Sequence, residues 1–286
     1  MERYDAVTIG VITYNSESTV IETLESLINQ TYPNIYIIVS DDCSSDSTVS
    51  VIENWILSND IKNVNLKVNP SNLGVSENLN SILEMVESKW VKFIAGDDLL
   101  LPGSINSYIE YVNSQDAKVI SSKCISFGNM EYILPKPSKA CFFEQSSEAQ
   151  FRYLGIGNFV ISPTLFFDTD FLKKIGGYNS EFRTVDDLPM LIRCTLEGEK
   201  IHFVNEVLVK YRIHDESISL SKEKNISFKS DLKKIYSTYY SDLGLLYRIH
   251  FEILSKSHGI RNRYIKYFVK YLSPLMWYMK FVEMKK

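Results

Sequence analysis

Apolar and polar residues form regular blocks along the first 120 residues of the chain, and the blocks have two different periods. Short runs rich in β-branched residues predict four strands, at 7–12, 35–39, about 65–68 and 91–95. Between these strands, apolar residues recur every three or four positions, which predicts helices. Strands that alternate with helices through short connections indicate right-handed βαβ units, and therefore a mostly parallel sheet with helices on both faces.

The pattern is looser after residue 119. The elements predicted there are strands at 119–127 and 201–209, an irregular stretch at 129–150, an apolar β-rich segment at 159–167, and helices at 171–175 and 188–196. Apolar residues from Phe228 to His250 recur at helical spacing and predict one long helix, with another from about Arg263 and a new start at Ser273-Pro274. The whole is expected to be an α/β protein with a helical C-terminal extension.

Each of the four predicted N-terminal strands ends on a cluster of polar residues. The clusters are 13–16, 41–47, 72–76 and 97–98. The carboxyl ends of parallel strands lie at the same edge of a sheet, and ligands of open α/β sheets bind outside that edge. We therefore expect the four clusters to converge on one crevice.

The sequence Gly96-Asp97-Asp98 follows a buried strand directly. Two adjacent carboxylates are costly to bury unless a positive group lies beside them. This favours a divalent cation that carries an anionic ligand such as a phosphate. The alternative is a solvated turn, because Gly and Asp are also common turn residues.

Composition excludes several classes of protein. The 286 residues are 45% hydrophobic and 23% charged, which is ordinary for a globular protein, and a net charge of −4 gives no case for nucleic acid binding. The four cysteines form no CxxC pair, which argues against a zinc site or a disulfide framework and fits a reducing cytoplasm. We find no signal-peptide pattern at the N-terminus and no apolar run near the ~18–20 residues of a spanning helix.

Charge is distributed unevenly. From Asn225 onward there are twelve Lys and Arg against four Asp and Glu, interleaved with Trp, Tyr and Phe. Such a segment fits helices that lie on an anionic membrane surface. The alternative is a helical pair that packs against the rest of the chain and leaves its lysines in solvent.

Seven short segments, in order over about residues 5–220, resemble the family 2 glycosyltransferases. The segments are VITYNSESTVIETLESLINQTYPN, VSDDCSSDST, NLGVSENLN, GDD, IGGYN, VDDLPMLIR and YRIHDESIS. The resemblance implies an inverting enzyme of GT-A fold that uses a nucleotide sugar. It also implies a nucleotide site formed by Thr13, Tyr14, Asn15, Asp41, Asp42, Asn72, Gly74 and Asp97.

Within this resemblance, a uracil N3–H donating to a carboxylate would explain Asp41 or Asp42. The family often has an arginine in the third loop, where this chain has Leu79. The GDD segment resembles the Asp-x-Asp metal motif of the family, with Ala95 at its usual first position. Asp97 and Asp98 then share the metal and the ribose or phosphate, and their division of roles stays open.

The resemblance adds His214, from the Tyr-Arg-x-His turn, as a ligand of the metal or the diphosphate. The expected metal is Mn²⁺ or Mg²⁺, which would stabilise the leaving nucleoside diphosphate. Asp187 is the expected general base. Asp186 contacts the phosphate or acceptor, or caps the following helix, and Arg212 neutralises a phosphate or pairs with a carboxylate.

We therefore expect a GT-A domain at 1–222, divided into a nucleotide-sugar half at 1–120 and an acceptor half at 121–222, followed by a basic-aromatic helical extension at 223–286. The expected reaction transfers a sugar, from a UDP-sugar donor, to a polyprenyl-diphosphate-linked glycan of O-antigen or capsule. The expected location is cytoplasmic, peripheral on the inner face of the cell membrane. The alternatives are a catalytically silent nucleotide-sugar-binding or scaffold protein, and a sugar nucleotidyltransferase, although TYNSES is not the glycine-rich basic loop of the latter.

Overall fold

The computed structural model describes residues 5–129, 131–158, 160–182, 185–213, 224–257 and 272–277. The strands are β1 Val7–Thr13, β2 Ile35–Asp41, β3 Val64–Val68, β4 Trp90–Ala95, β5 Leu99–Leu100, β6 Val119–Gly128, β7 Ile133–Leu134, β8 Phe166–Asp168 and β9 Ile201–Ile213. The α-helices are α1 Val20–Ile28, α2 Thr48–Ser58, α3 Val75–Leu83, α4 Ser104–Ser114, α5 Ser147–Leu154, α6 Thr169–Lys174, α7 Asp187–Leu196, α8 Lys224–Tyr239 and α9 Leu245–Ser257.

The strands form one mixed sheet in the order β3-β2-β1-β4-β8-β6-β9-β5, with β7 beside β6. The first four strands along this order are parallel, as are β6 and β9. The short strand β8 is antiparallel to both β4 and β6 and joins the two parallel groups. The predicted strand–helix alternation of the first 120 residues is confirmed.

Both faces of the sheet are covered, which explains the continuous apolar sequence of the central strands. Alternate residues of β1 point to opposite faces, and Val7, Ile9 and Val11 belong to the core on one of them. On the other face α3 lies close to the strand at Gly10. A Cβ at Gly10 would lie 2.8 Å from side-chain atoms of both Ile82 and Phe93, so only glycine allows this approach.

The second half of the chain departs from the expected elements between residues 159 and 168. Within the described part of this segment, Ser162–Thr164 form a 3₁₀ turn and the strand is limited to Phe166–Asp168. Pro163 has no N–H to give to a sheet. The carbonyls of Pro163 and Leu165 instead accept hydrogen bonds from the buried Lys92 amino group, the latter at 3.2 Å.

Strand β9 is longer than predicted and reaches Ile213, because its last residues pair with the end of β6. The segment expected to be irregular contains β7, a 3₁₀ helix at Pro137–Phe142 and the start of α5. Helix α6 ends before Gly176 and Gly177, both of which have positive φ, as predicted.

The long C-terminal helix predicted from Phe228 to His250 is wrong in one respect, because the structure divides it. Helices α8 and α9 are separated by a 3₁₀ turn at Ser241–Leu243 and by Gly244, whose φ of 90° ends the helical path. Residues 274–277 are helical, as Ser273-Pro274 predicts. The helix expected from Arg263 lies outside the described residues.

Helices α8 and α9 pack on α5. The ring of Tyr240 stacks on Phe151 at 4.8 Å, and its Oη donates to the carbonyl of Phe151 at 2.9 Å. Tyr236 and Phe251 stack at 3.8 Å and extend this aromatic cluster. In the part of the chain that the structure describes, no helix is both long and apolar enough to cross a membrane.

Candidate active site

The ends of β1 and β2 are joined by a buried threonine–carboxylate contact. Thr13, the last residue of β1, donates its Oγ1 proton to Asp41 Oδ2 at 2.8 Å. Asp41 is fully buried at the end of β2 and also accepts from the backbone N of Ser44 at 2.8 Å and its Oγ at 2.6 Å. The Asp41 carboxylate therefore ties two of the predicted clusters together.

Asp42 shapes the third loop. Its Oδ1 accepts from Leu73 N at 2.8 Å and its Oδ2 from Gly74 N at 2.9 Å. Gly74 has a φ of 86°, and no atom lies within 4 Å of the position of a Cβ there, so the backbone of this loop faces open space. Asn72 is exposed at the same rim. The second and third clusters are thus brought together as predicted.

The turn after β1 presents an aromatic ring to solvent. Asn15 adopts a φ of 51°, donates its backbone N–H to Ser44 Oγ at 2.8 Å and accepts from Ser45 N at 2.9 Å. These bonds fix the turn, while the side chain of Tyr14 beside it is 52% exposed. A ring that is fixed at its backbone and open on its face can stack on a planar ligand.

The Gly96-Asp97-Asp98 turn lies against the end of β1. Gly96 N donates to the carbonyl of Ile12 at 2.9 Å, and Thr19 Oγ1 donates to the carbonyl of Gly96 at 2.7 Å. Asp98 is 2% exposed, whereas Asp97 is only half-buried. All four predicted clusters therefore meet at one edge of the sheet, and Asp97 is the more accessible of the two carboxylates.

The pKa of the buried Asp98 carboxyl is shifted by its surroundings. Burial and the neighbouring carboxylate of Asp97 raise its pKa well above the ordinary value, against the effect of the Arg212 backbone N–H, which donates to Oδ1 at 2.8 Å. The buried Lys92 amino group also favours the ionised form of Asp98. Burial in turn lowers the pKa of Lys92 to about 7.

The side chain of Arg212 is held by protein groups. Its Nε donates to the carbonyl of Asp97 at 2.8 Å, its guanidinium lies 4.3 Å from the centre of the Phe127 ring, and it forms an ion pair with Glu22. Arg212 was expected either to neutralise a phosphate or to pair with a carboxylate, and in the structure it pairs with the Glu22 carboxylate. His214, the other residue predicted from this turn, lies outside the described residues.

The acidic turn fits a divalent cation in its chemistry. Among the described residues, no group of three or more His, Cys, Asp and Glu side chains is close enough to hold a metal. Mg²⁺, however, is commonly held by one or two carboxylates together with substrate phosphates and water. Asp97 and Asp98 supply those carboxylates, and the raised pKa of Asp98 means that burial and Asp97 disfavour its ionised form, a cost that a bound cation would offset.

A second acidic pair lies at the start of α7. Asp187, the first residue of the helix, accepts from Leu188 N at 2.7 Å through Oδ1 and from Asn158 Nδ2 at 2.6 Å through Oδ2. Burial and the neighbouring Asp186 raise the pKa of Asp187 to about 7. Asp186 occupies the cap position of α7 but makes no side-chain capping bond, and burial raises its pKa as well.

The loop before α7 is fastened to the nucleotide-side half. Asn80 of α3 accepts from Tyr178 N and donates to the carbonyl of Tyr178, both at 2.8 Å. Ser76 Oγ donates to the carbonyl of Phe182 at 3.1 Å, and the Tyr178 ring makes an edge contact with Phe93 of β4. These contacts fasten the loop that leads into α7 to α3 and β4 of the nucleotide-side half.

Neither Asn80 nor Asn158 was predicted from the sequence. Each asparagine contacts a residue that is far away along the chain, Tyr178 in one case and Asp187 in the other. The Gly-rich segment Gly155-Ile156-Gly157-Asn158 was the only local signal of a turn.

The mixed sheet, the clusters at its carboxyl edge and the acidic pair on α7 define a glycosyltransferase of GT-A fold. A sequence model described as Glycosyl transferase family 2 matches residues 8–176, and the chain belongs to this family. The resemblance read from the seven segments is confirmed.

Among curated relatives, the chain is 26% identical over 234 residues to the Escherichia coli UDP-Glc:alpha-D-GlcNAc-diphosphoundecaprenol beta-1,3-glucosyltransferase WfaP, covering 80% of this chain and 86% of WfaP. It is 24% identical over 245 residues to the glycosyltransferase GlyG of Streptococcus pneumoniae serotype 4, covering 83% and 80%.

Solved structures share the fold. The S. aureus TarS fragment 1–349 in complex with UDP-GlcNAc superposes with a TM-score of 0.63 at 17% identity, over 87% of this chain and 81% of that one. The mannosyltransferase PcManGT from Pyrobaculum calidifontis, in complex with GDP-Man and Mn²⁺, gives 0.65 at 16% identity, over 84% and 65%.

Proposed function

We propose that the protein is an inverting glycosyltransferase that moves a sugar from a nucleotide sugar to a hydroxyl of a lipid-linked glycan. The observation that carries this proposal is the presence of two acidic pairs, 97–98 after β4 and 186–187 at the start of α7, on segments that the Tyr178–Phe93 contact connects. One suits a diphosphate and its metal. The other offers a carboxylate with a pKa of about 7, which can accept a proton at neutral pH.

On the donor side, the exposed side chains are proposed to touch the nucleotide. We propose that the exposed ring of Tyr14 stacks on the base and that Asn72, Gly74 and Asp97 contact the nucleotide at the rim. Thr13, Asn15, Asp41 and Asp42 are proposed to belong to the same nucleotide site, and the hydrogen bonds described above hold their turns in position. We favour a UDP-sugar because the name of WfaP specifies UDP-Glc and a TarS structure holds UDP-GlcNAc.

We propose Mn²⁺ or Mg²⁺ as cofactor, held by Asp97 and Asp98, with His214 as a further ligand. When bound, such a cation neutralises negative charge on the departing diphosphate. Arg212 holds this turn, because its backbone N–H donates to the Asp98 carboxylate and its Nε donates to the backbone carbonyl of Asp97.

Asp187 is the proposed general base. The acceptor hydroxyl oxygen attacks the anomeric carbon from the face opposite the diphosphate, and a new C–O bond forms as the bond to the diphosphate oxygen breaks. The hydroxyl proton passes to the Asp187 carboxylate, and the anomeric configuration inverts. Asp186 is proposed to contact the phosphate or the acceptor, and its carboxylate helps to raise the pKa of Asp187.

For the acceptor we propose a polyprenyl-diphosphate-linked glycan of O-antigen or capsule, because the name of WfaP specifies a diphosphoundecaprenol acceptor. The C-terminal extension is proposed to meet the inner membrane surface. This segment has an excess of basic residues, and four of its large apolar side chains are exposed to solvent. Their exposed fractions are 68% for Leu245, 41% for Leu246, 57% for Leu272 and 59% for Trp277. The proposed boundaries remain 1–222 for the GT-A domain and 223–286 for the extension.

A donor screen tests the proposal. Release of nucleoside diphosphate is measured with UDP-, dTDP- and GDP-sugars in the presence of a polyprenyl-diphosphate sugar, and the largest acceptor-dependent release is expected with a UDP-sugar. Asp187→Asn should abolish transfer and leave UDP binding unchanged, because the substitution keeps the shape of the side chain and removes its basicity. Full turnover by this variant would refute the role of Asp187. If none of the donors releases a nucleoside diphosphate, the alternative of a catalytically silent binding protein is favoured.

A further inference from the structure

Asn158 contacts the proposed base directly. It follows α5 in an exposed loop, and its Nδ2 donates to Asp187 Oδ2 at 2.6 Å. Its Oδ1 accepts from the backbone N of Val160 at 3.0 Å, which fixes the orientation of the amide. The second carboxylate oxygen of Asp187 accepts from Leu188 N at 2.7 Å. Both carboxylate oxygens thus accept a hydrogen bond from a described residue, one from Asn158 and one from Leu188.

We infer that Asn158 is a positioning residue for the transfer reaction, and that its amide orients the Asp187 carboxylate and favours its ionised, proton-accepting form. This inference rests on the proposed role of Asp187 as base. A hydrogen bond from each side prevents rotation of the carboxylate about its χ2 bond, so that its lone pairs keep one direction. A donor to the charged form also lowers the free energy of that form.

The surroundings of Asp187 make this donor important. In the described part of the chain, the titratable groups that face Asp187 are the carboxylate of Asp186 and the buried phenol of Tyr178, with Cys194 beside the phenol. Asp186 opposes ionisation of Asp187, and burial opposes it further. The Asn158 amide and the Leu188 N–H act in the opposite direction. Removal of one of these two donors should raise the pKa of Asp187 further above its ordinary value.

The Asn158 loop is supported from behind by the C-terminal helices. A Cβ at Gly155, the first residue after α5, would lie 2.7 Å from Cε1 of Tyr240 and 3.0 Å from Cε1 of Tyr247. The close packing of these rings leaves the backbone at the start of the loop little freedom. A fixed backbone is what a positioning side chain requires.

Asn158→Asp tests the inference with little change of shape. A carboxylate oxygen can still accept from Val160 N, so the loop keeps its internal bond, but the donor to Asp187 is replaced by a negative charge. We expect the acidic limb of the pH profile of kcat/KM to move up by about one pH unit, which is a tenfold loss of kcat/KM on that limb. UDP affinity should be unchanged. Asn158→Ala loses the donor without adding charge and should shift the limb in the same direction by less.

Asn179→Asp is the matched control. Its Oδ1 accepts from Glu181 N at 3.0 Å, which is the same kind of bond within a neighbouring loop, so its pH profile should be that of the wild type. An unshifted limb in both Asn158 variants would overturn the inference, whatever their activity, and so would an equal shift in Asn179→Asp. Asp187→Asn separates the two proposals. If this variant retains turnover, the assignment of Asp187 as base fails. If it is inactive and the Asn158 variants show no shift of the acidic limb, only the role of Asn158 fails.

Discussion

Replacement of Asp187 by Asn should stabilise the folded protein at neutral pH, although it removes the proposed base. The pKa of Asp187 is raised from 3.8 to about 7 by burial and by Asp186. Between these pH values the folded state binds more protons than the unfolded state. The free energy of unfolding of the wild type therefore falls as pH rises from about 4 to about 7, and the contribution is fully lost above that range.

The size of the effect follows from the shift. A shift of about three pH units corresponds to an upper limit of about 4 kcal/mol. Asp187 is only half-buried and shares its repulsion with Asp186, so solvent screening reduces the expected difference to about 1–3 kcal/mol. An amide at position 187 carries no charge to desolvate, and its single oxygen can accept from Asn158 or from Leu188 N but not from both, which is also true of the protonated acid. For a chain of this size, each kcal/mol corresponds to about 2–4 °C in Tm.

Thermal unfolding of the wild type and of Asp187→Asn, measured from pH 4.5 to pH 8, gives the test. The two Tm values should be close at the acidic end and diverge in favour of the variant as pH rises to 7. Glu53→Gln, which removes an exposed carboxylate on α2, controls for the loss of one negative charge. Tm curves of wild type and Asp187→Asn that stay parallel over the whole range would refute the electrostatic reasoning.

Two further predictions concern the metal and the C-terminal helices. EDTA should abolish transfer and weaken UDP binding, measured by calorimetry, because without a cation the carboxylates of Asp97 and Asp98 repel a diphosphate. If neither the activity nor the UDP affinity changes with EDTA, the proposed metal is excluded. Gly155→Ala should lower the free energy of unfolding by about 1–3 kcal/mol through its 2.7 Å approach to Tyr240. Gly157→Ala, where no atom lies within 4 Å of the added Cβ, is the control, and an equal loss in both would contradict the packing argument.

The nucleotide-side half could be predicted from the sequence because its signals are local. Each strand is a short apolar run, each helix has its own period, and each strand ends on polar residues, so the order of elements and the common edge follow from neighbouring residues alone. The turn at 97–98 was found in the same way, whereas Asp186 and Asp187, just before the predicted helix at 188–196, were found through the family resemblance. The family resemblance then supplied their expected roles.

The rest depends on contacts between distant residues, which periodicity does not show. Lys92 reads as an ordinary polar residue in a strand, yet it is fully buried and bonds the carbonyls of Pro163 and Leu165. Asp41 and Asp42 are predicted as nucleotide ligands, but no local pattern indicates that Asp41 accepts from Ser44 or that Asp42 accepts from Leu73. The division of the C-terminal helix at Gly244 overrides an apolar period that continues across the break.

The packing of the C-terminal helices on α5 has a consequence for biosynthesis. The aromatic rings that cover Phe151 and Gly155 belong to residues 236–251, which leave the ribosome only after the last strand of the sheet has been made. Until then, a nascent chain exposes the apolar side of α5 to water, and a fragment that ends at residue 222 would do so permanently. Such exposed surface promotes aggregation. A GT-A domain bounded at residue 222, as proposed, would therefore lack the helices that cover its own apolar surface.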